Sequence, residues 1–173
     1  MILLVGPSAV GKTEVGRTLK NKYGYNKLIT YTTRAPRVGE INHVDYHFIS
    51  VEEFIQKQND GFFFESVNYA TNYYGTALED IDASKYVIVD PQGLINYKKS
   101  DLYCVAFFLE ASEDIRIERM KYRQDKQEDI NRRVELDRIH FSKEIVSLCD
   151  YVVDVDYKTL DEIAEEIHKL YKK

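Results

Sequence analysis

"MILLVGPSAVGKTEVGRTLKNKYG", Met1 to Gly24, decides the fold. Its first five residues form a continuous apolar run, as expected of a strand buried on both faces of a parallel sheet. The next eight, "GPSAVGKT" (Gly6–Thr13), match G-x-x-x-x-G-K-[ST] at every fixed position. "EVGRTLKNKYG" then reads as a helix closed by Gly24. Strand, glycine-rich turn and helix open a βαβ unit, and this is the setting in which the motif binds a nucleoside triphosphate. Gly6, Pro7, Ser8, Ala9, Val10, Gly11, Lys12 and Thr13 are therefore the candidate ATP cradle. The glycines let backbone N–H groups wrap a phosphate, and the helix N-terminus adds its positive end. Lys12 is placed to reach the β- and γ-phosphates, and the Thr13 hydroxyl to ligate Mg²⁺. The plainer alternative, a glycine-rich turn without a ligand, fits the flanking strand and helix poorly. The motif implies a phosphoryl donor and leaves the acceptor open.

Further along, "YVIVD" (86–90), "LYCVAFFLE" (102–110) and "YVVDV" (151–155) repeat the buried-strand pattern. Helical segments are expected at about 112–123, 129–148 and 159–171. The alternation predicts an α/β fold with a mostly parallel sheet and helices on both faces. Residues 30–80 differ: they are rich in Thr, Tyr and Asn, with "YHFI" and "FFFESV" as short strands and "SVEEFIQKQ" as a helix. That stretch reads as a small inserted lobe in a single domain whose core is 1–29 and 81–173.

Bulk properties narrow the function. The 173 residues suit one domain with a proper core, and 44% apolar residues are ordinary for a globular protein. A net charge of −5 argues against a nucleic-acid partner, yet a local basic cluster can still hold one small anion. "MILLV" is too short for a signal peptide, and no apolar run approaches the roughly 20 residues of a membrane span. A cytoplasmic protein with no membrane partner is the expectation. Cys104 and Cys149 lie outside any C-x-x-C pattern and are expected to be buried thiols rather than metal ligands.

The cradle, "TTRAPRVGEINHVDYHF" (32–48), "FFFESVNYATNYYGT" (62–76) and "VDPQG" (89–93) occur in one order and spacing. In this the chain resembles guanylate kinases over about residues 2–156. The resemblance implies a P-loop NTPase fold, a three-layer α/β/α parallel-sheet core with a small inserted GMP-binding lobe at about 30–80 and a helical lid at about 119–133. It also implies transfer of the γ-phosphoryl group of ATP to GMP or dGMP with Mg²⁺. By position, Arg34 and Arg37 are the expected ligands of the GMP phosphate, and guanidinium forks suit that task. Tyr46 and Tyr74 match two tyrosines that reach the same phosphate, although Tyr46 alone would read as a half-buried lobe tyrosine.

Guanine presents N1–H and N2–H₂ side by side, and one carboxylate can accept both. Glu65 resembles the family's guanine-binding glutamate, with a strand-edge charge as the alternative. Thr30 and Thr76 match two hydroxyls of the base site. Asp90 matches an aspartate facing the guanine and is a possible Mg²⁺ ligand. In the lid, Arg119, Arg123 and Arg133 best match the arginines that close over ATP, joining Lys12 and Arg34 as candidate catalytic groups. Arg116 and Arg132 read as solvated helix charges.

The sequence also departs from the family pattern. Ile88 stands where an acidic residue is usual, Val155 where an asparagine is often found, His140 where an acid is expected after Arg133, and Ala9 where the cradle usually has a third glycine. A kinase for another nucleotide or phosphorylated small molecule, and a catalytically weak guanylate-kinase-like binding module, remain alternatives. Oligomeric state is not legible.

Overall fold

Each of the apolar runs forms a strand in the computed structural model, which describes residues 1–69 and 71–173. In chain order the elements are β1 (Ile2–Val5), α1 (Lys12–Tyr23), β2 (Asn26–Lys27), β3 (Tyr31–Thr32), β4 (His47–Phe48), α2 (Val51–Asn59), β5 (Phe63–Tyr69) and β6 (Asn72–Ala77). A 3-10 turn (Leu78–Asp80) leads to β7 (Lys85–Ile88), α3 (Pro91–Lys99), β8 (Val105–Glu110), α4 (Glu113–Tyr122), α5 (Gln127–His140), α6 (Lys143–Ser147), β9 (Tyr151–Asp154) and α7 (Leu160–Tyr171).

The core sheet has the order β2-β7-β1-β8-β9, and every pairing in it is parallel. All four residues of β1 are fully buried. Side chains alternate across a strand, so β1 feeds two cores. Ile2 and Leu4 pack with Val15 and Leu19 of α1 and with Ile163, Ala164 and Ile167 of α7. Leu3 and Val5 pack on the other face with Leu94 and Tyr97 of α3, and with Phe141, Ile145 and Val146 at the margin. The result is the expected α/β/α sandwich. α1 stops at Gly24 in the left-handed region, and α7 opens with a capping box between Thr159 and Glu162.

The stretch 31–77 builds a sheet of its own, ordered β4-β3-β6-β5. β3 pairs parallel with β4 and antiparallel with β6, which pairs antiparallel with β5. α2 covers it: Phe54 is fully buried and stacks on Phe63 at 4.5 Å and Tyr73 at 5.3 Å. Ser50 caps the helix by accepting from the Glu53 N–H.

Two expectations need correction. The segment 129–148 is not one helix but two, α5 and α6, broken at Phe141 and Ser142. Phe141 leaves the helical region (φ −102°, ψ 56°) and turns its ring toward Phe108 of the sheet, so burial of one aromatic overrides the local helical pattern. Cys104 and Cys149 are half-buried rather than buried, because both sit at the margin of the second core. Desolvation still pushes the Cys149 thiol up to about 12, which keeps it protonated and unreactive. Among the described residues, no helix is long and apolar enough to cross a membrane.

The close approach of α1 to the sheet depends on Gly16. A Cβ there would lie 2.3 Å from Cε2 of the buried Tyr86 ring. Glycine to alanine in an ordinary helix interior stabilises by about 1 kcal/mol. Here Gly16→Ala is expected to destabilise instead, by about 1–3 kcal/mol from overpacking, read as a lower urea midpoint. An unchanged or higher midpoint would show that Tyr86 has room to move.

Candidate active site

The turn after β1 leaves the sheet at the carboxyl edge of the parallel strands, where open α/β sheets bind ligands. Gly6 makes that exit possible. Its φ is +148°, and a Cβ would lie 2.5 Å from the Leu109 carbonyl oxygen of β8. Ala9 has φ +60°, the left-handed region that favours glycine. The missing third glycine therefore leaves an alanine in a conformation costing about 1 kcal/mol or more. Lys12 is folded back on the loop, donating to the carbonyl oxygens of Gly6 (2.5 Å) and Pro7 (2.9 Å). Burial pulls its pKa down to about 8 against the opposing pull of Asp137. A phosphate would relieve that desolvated charge.

A cavity of about 920 Å³ joins the cradle to the second sheet. Gly6, Ser8, Ala9, Val10, Gly11, Lys12 and Thr13 line one end, and Thr30, Arg37, Tyr46, Glu65, Tyr74 and Asp90 the other. Arg119, Arg123 and Arg133 border it from α4 and α5. Three expected site residues, Pro7, Arg34 and Thr76, are not on its wall. Pro7 is buried beneath the loop. Arg34 is engaged by Glu40, whose two carboxylate oxygens accept from Nη2 at 2.8 and 2.9 Å. Thr76 is fully buried behind Glu65 and donates to its Oε1 at 2.8 Å.

Glu65 reaches the cavity because β5 is irregular. The register with β6 shifts between Phe63 and Glu65, so Phe63 faces Ala77 and Glu65 faces Thr76. This inserted residue, Phe64, lets Phe63 stack on Phe54 under α2 while Glu65 turns to the cavity. Phe64 itself packs against Tyr97 of the core at 5.1 Å. Burial, helped by the charge of Asp90, raises the Glu65 pKa to about 7, against hydrogen bonding from Thr76 and Asn96. Its Oε2 is buried without a partner, an acceptor that a ligand's donor would satisfy. Asp90 is the cap of α3: its Oδ1 accepts from the Gly93 N–H at 2.8 Å, and burial raises its pKa.

The acceptor end is electropositive. Burial lowers the pKa of Arg37, and Arg34 and Arg133 add to the effect. Among the described residues no carboxylate pairs with the Arg37 guanidinium. Tyr46 and Tyr74 meet edge to face at 6.3 Å, and burial raises the Tyr46 pKa. Together these groups form a pocket that favours an anion with several acceptor oxygens.

α4 and α5 are tied to the cradle. Arg119 Nη1 donates to the carbonyls of Val10 (2.9 Å) and Ala9 (3.3 Å). Arg123 and Arg133 share one carboxylate oxygen of Asp125, at 3.0 and 2.7 Å. Arg132 pairs with Asp129 on the exposed face, as read from the sequence. Arg116 does not behave as a solvated charge. It is 5% exposed, and its Nη1 donates to Asp137 Oδ2 at 2.7 Å. Asp137 in turn accepts from the Ser8 N–H at 2.9 Å and the Ser8 hydroxyl at 3.2 Å. An acid therefore does follow Arg133, one turn along α5 at Asp137 rather than at His140. Its i,i+4 spacing from Arg133 puts both on one face, the only sequence signal that pointed to it.

The family model for guanylate kinase matches residues 1–173. A guanylate kinase of Chlamydia muridarum is 31% identical over 161 residues, covering 88% of this chain and 78% of that protein. One of Fusobacterium nucleatum is 30% identical over 174 residues, covering 90% and 94%. Among solved structures, guanylate kinase from Anaplasma phagocytophilum superposes with a TM-score of 0.72 at 23% identity, covering 99% of this chain and 84% of that one. Shikimate kinase from Acinetobacter baumannii shares the fold more distantly, with a TM-score of 0.56 at 13% identity and coverage of 98% and 90%.

The buried Arg116–Asp137 pair and the exposed Arg132–Asp129 pair should respond very differently to truncation. Arg116→Ala strands a buried carboxylate and is expected to cost about 3–5 kcal/mol in urea unfolding. Arg132→Ala is expected to stay within about 0.5 kcal/mol. Equal effects would mean that Asp137 finds another partner.

Proposed function

The chain belongs to the guanylate kinase family, so it transfers the γ-phosphoryl group of ATP to GMP or dGMP, and we propose that its residues divide that work as follows. The observation that carries this division is a single cavity with a phosphate cradle at one end and a buried acid with an unpartnered oxygen at the other. Gly6 to Thr13 hold the triphosphate of ATP. Lys12 exchanges its two loop carbonyls for β- and γ-phosphate oxygens. Arg37, Tyr46 and Tyr74 hold the GMP phosphate. Arg34 joins them as the phosphate competes with Glu40 for its guanidinium, or else stiffens the loop that carries Arg37.

Glu65 selects the base. Its carboxylate accepts N1–H and N2–H₂ of guanine, whereas adenine has no N1–H to offer. Thr30 and Asp90 complete the base pocket, and Thr76 acts through Glu65. A site built on buried hydrogen bonds discriminates strongly, because the wrong base leaves polar groups unpaired. The lid at about 119–133 closes over the lobe at about 30–80. Arg119, Arg123 and Arg133 then surround the moving phosphoryl group, and closure excludes water that would otherwise hydrolyse ATP. A GMP phosphate oxygen attacks the γ-phosphorus in line, the bond to the β-phosphate oxygen breaks, and ADP leaves.

Mg²⁺ suits the residues present. The Thr13 hydroxyl at the start of α1 would hold it, with the remaining ligands from phosphates and water, and it would neutralise charge on the β- and γ-phosphates. Asp90 is the second candidate, although one of its oxygens already caps α3. The intact cradle favours turnover over a role as a binding module, and Glu65 favours guanine over another acceptor. We read the protein as a cytoplasmic enzyme of purine nucleotide metabolism.

With ATP and Mg²⁺, GMP and dGMP should exceed AMP, CMP, UMP and sugar phosphates by at least about 100-fold in kcat/KM. Equal rates on AMP and GMP would sink the assignment of Glu65. Lys12→Ala is expected to lower kcat by about 100- to 1000-fold. Acidity gives an independent check. The Glu65 carboxyl loses its proton near pH 7, so the form that accepts from guanine is abundant above that pH and scarce below it. Affinity for GMP should therefore fall by about tenfold from pH 8 to pH 6 through this group alone. Glu65→Gln should lose that dependence, and a matching profile in the variant would assign the titration elsewhere.

A further inference from the structure

One core side chain backs the Glu65 end of the cavity without lining it. Tyr97 lies on α3, is fully buried, and packs with Leu94 and Val87 in the second core. Its hydroxyl donates to Thr76 Oγ1 at 3.2 Å, and Thr76 donates to Glu65 Oε1 at 2.8 Å. We propose that Tyr97 is a positioning residue for guanine recognition: through Thr76 it fixes which oxygen of Glu65 stays open to the base. This inference rests on reading Glu65 as the guanine-binding acid.

The direction of the chain follows from counting protons. A threonine hydroxyl has one hydrogen and two lone pairs. The Tyr97 proton has no other acceptor among the described residues, so it must point at Thr76. Thr76 is thereby an acceptor toward Tyr97 and sends its own proton to Glu65. Oε1 is then always an acceptor, whatever the charge of Glu65. Oε2, buried and without a well-formed hydrogen bond of its own, is the oxygen left to meet the base or take up a proton, with Asn96 as the carboxylate's other hydrogen-bonding neighbour. Burial raises the phenol pKa, so Tyr97 remains a donor across the working range. A reversed chain would aim the Tyr97 proton at nothing, which is costly inside a core.

The arrangement also spans two elements that must agree. Glu65 and Thr76 sit on β5 and β6 of the second sheet, while Tyr97 belongs to α3 of the core, the helix that Asp90 caps. Thus α3 contributes to the base pocket at its first turn through Asp90 and at its last through Tyr97. A phenylalanine at position 97 would fill the same volume and supply no proton.

Tyr97→Phe is the direct test, because it removes one oxygen and keeps the ring. The expected result is a thermal midpoint near that of the unmodified protein, KM for GMP raised about fivefold, and kcat and KM for ATP unchanged. The pH midpoint of kcat/KM for GMP should move upward, since the charged form of Glu65 loses support. Thr76→Val, which breaks the chain one link nearer Glu65, should exceed the effect of Tyr97→Phe. Unchanged GMP kinetics and an unchanged pH midpoint in Tyr97→Phe overturn the proposal. A loss of thermal stability with both KM values raised and the pH midpoint fixed also overturns it, because the role is then structural. Glu65→Gln separates the two layers: if it too leaves GMP kinetics unchanged, the base-site reading fails and takes the inference with it.

Discussion

The burial of β1 on both faces governs the rest of the molecule. A strand flanked by parallel neighbours and covered by helices on two sides cannot shift without dragging both cores. Its register fixes where Gly6 emerges, and Gly6 sits so close to the Leu109 carbonyl that only glycine fits. The phosphate cradle is thus a geometric consequence of the sheet. The two large excursions of the chain, between β2 and β7 and between β8 and β9, leave from that same carboxyl edge. Cradle, second sheet and the arginines of α4 and α5 converge because parallel strands deliver them there.

Charge is managed in pairs around this edge. Glu40 engages Arg34, Asp125 engages Arg123 and Arg133 together, and Asp137 engages Arg116 while receiving the Ser8 N–H. An acidic chain can in this way keep an arginine-rich pocket folded before any phosphate arrives. The pairings differ in character. The Asp125 contacts are partly solvated and can yield to a nucleotide, whereas the Arg116–Asp137 contact is nearly dry and acts as a fixed joint between α4, α5 and the cradle.

How much of this was legible in the sequence depended on range. The strands were readable because a doubly buried strand is apolar at every position, and the cradle because its spacing and flanks carry the chemistry. The split between α5 and α6 was not, because it depends on Phe141 finding Phe108 across the fold. Arg116 looked like any helical arginine, since nothing local reveals that Asp137 lies opposite with Ser8 on its other side. Glu65 was singled out by its place in a family pattern, but the irregular strand that aims it, and Thr76 and Tyr97 behind it, need β5, β6 and α3 assembled. Local chemistry is written locally, and the supporting contacts are written in pairs of distant residues.

Ile88 ends β7 at the cavity wall, where a carboxylate would have offered a divalent cation an oxygen ligand. Among the described residues no cluster of three or more acidic, histidine or cysteine side chains converges to hold one. A divalent ion whose remaining ligands were phosphate oxygens and water would be held chiefly by the nucleotide. For an ion held in that way, the ratio of magnesium to nucleotide in the surrounding solution would act as the throttle on turnover.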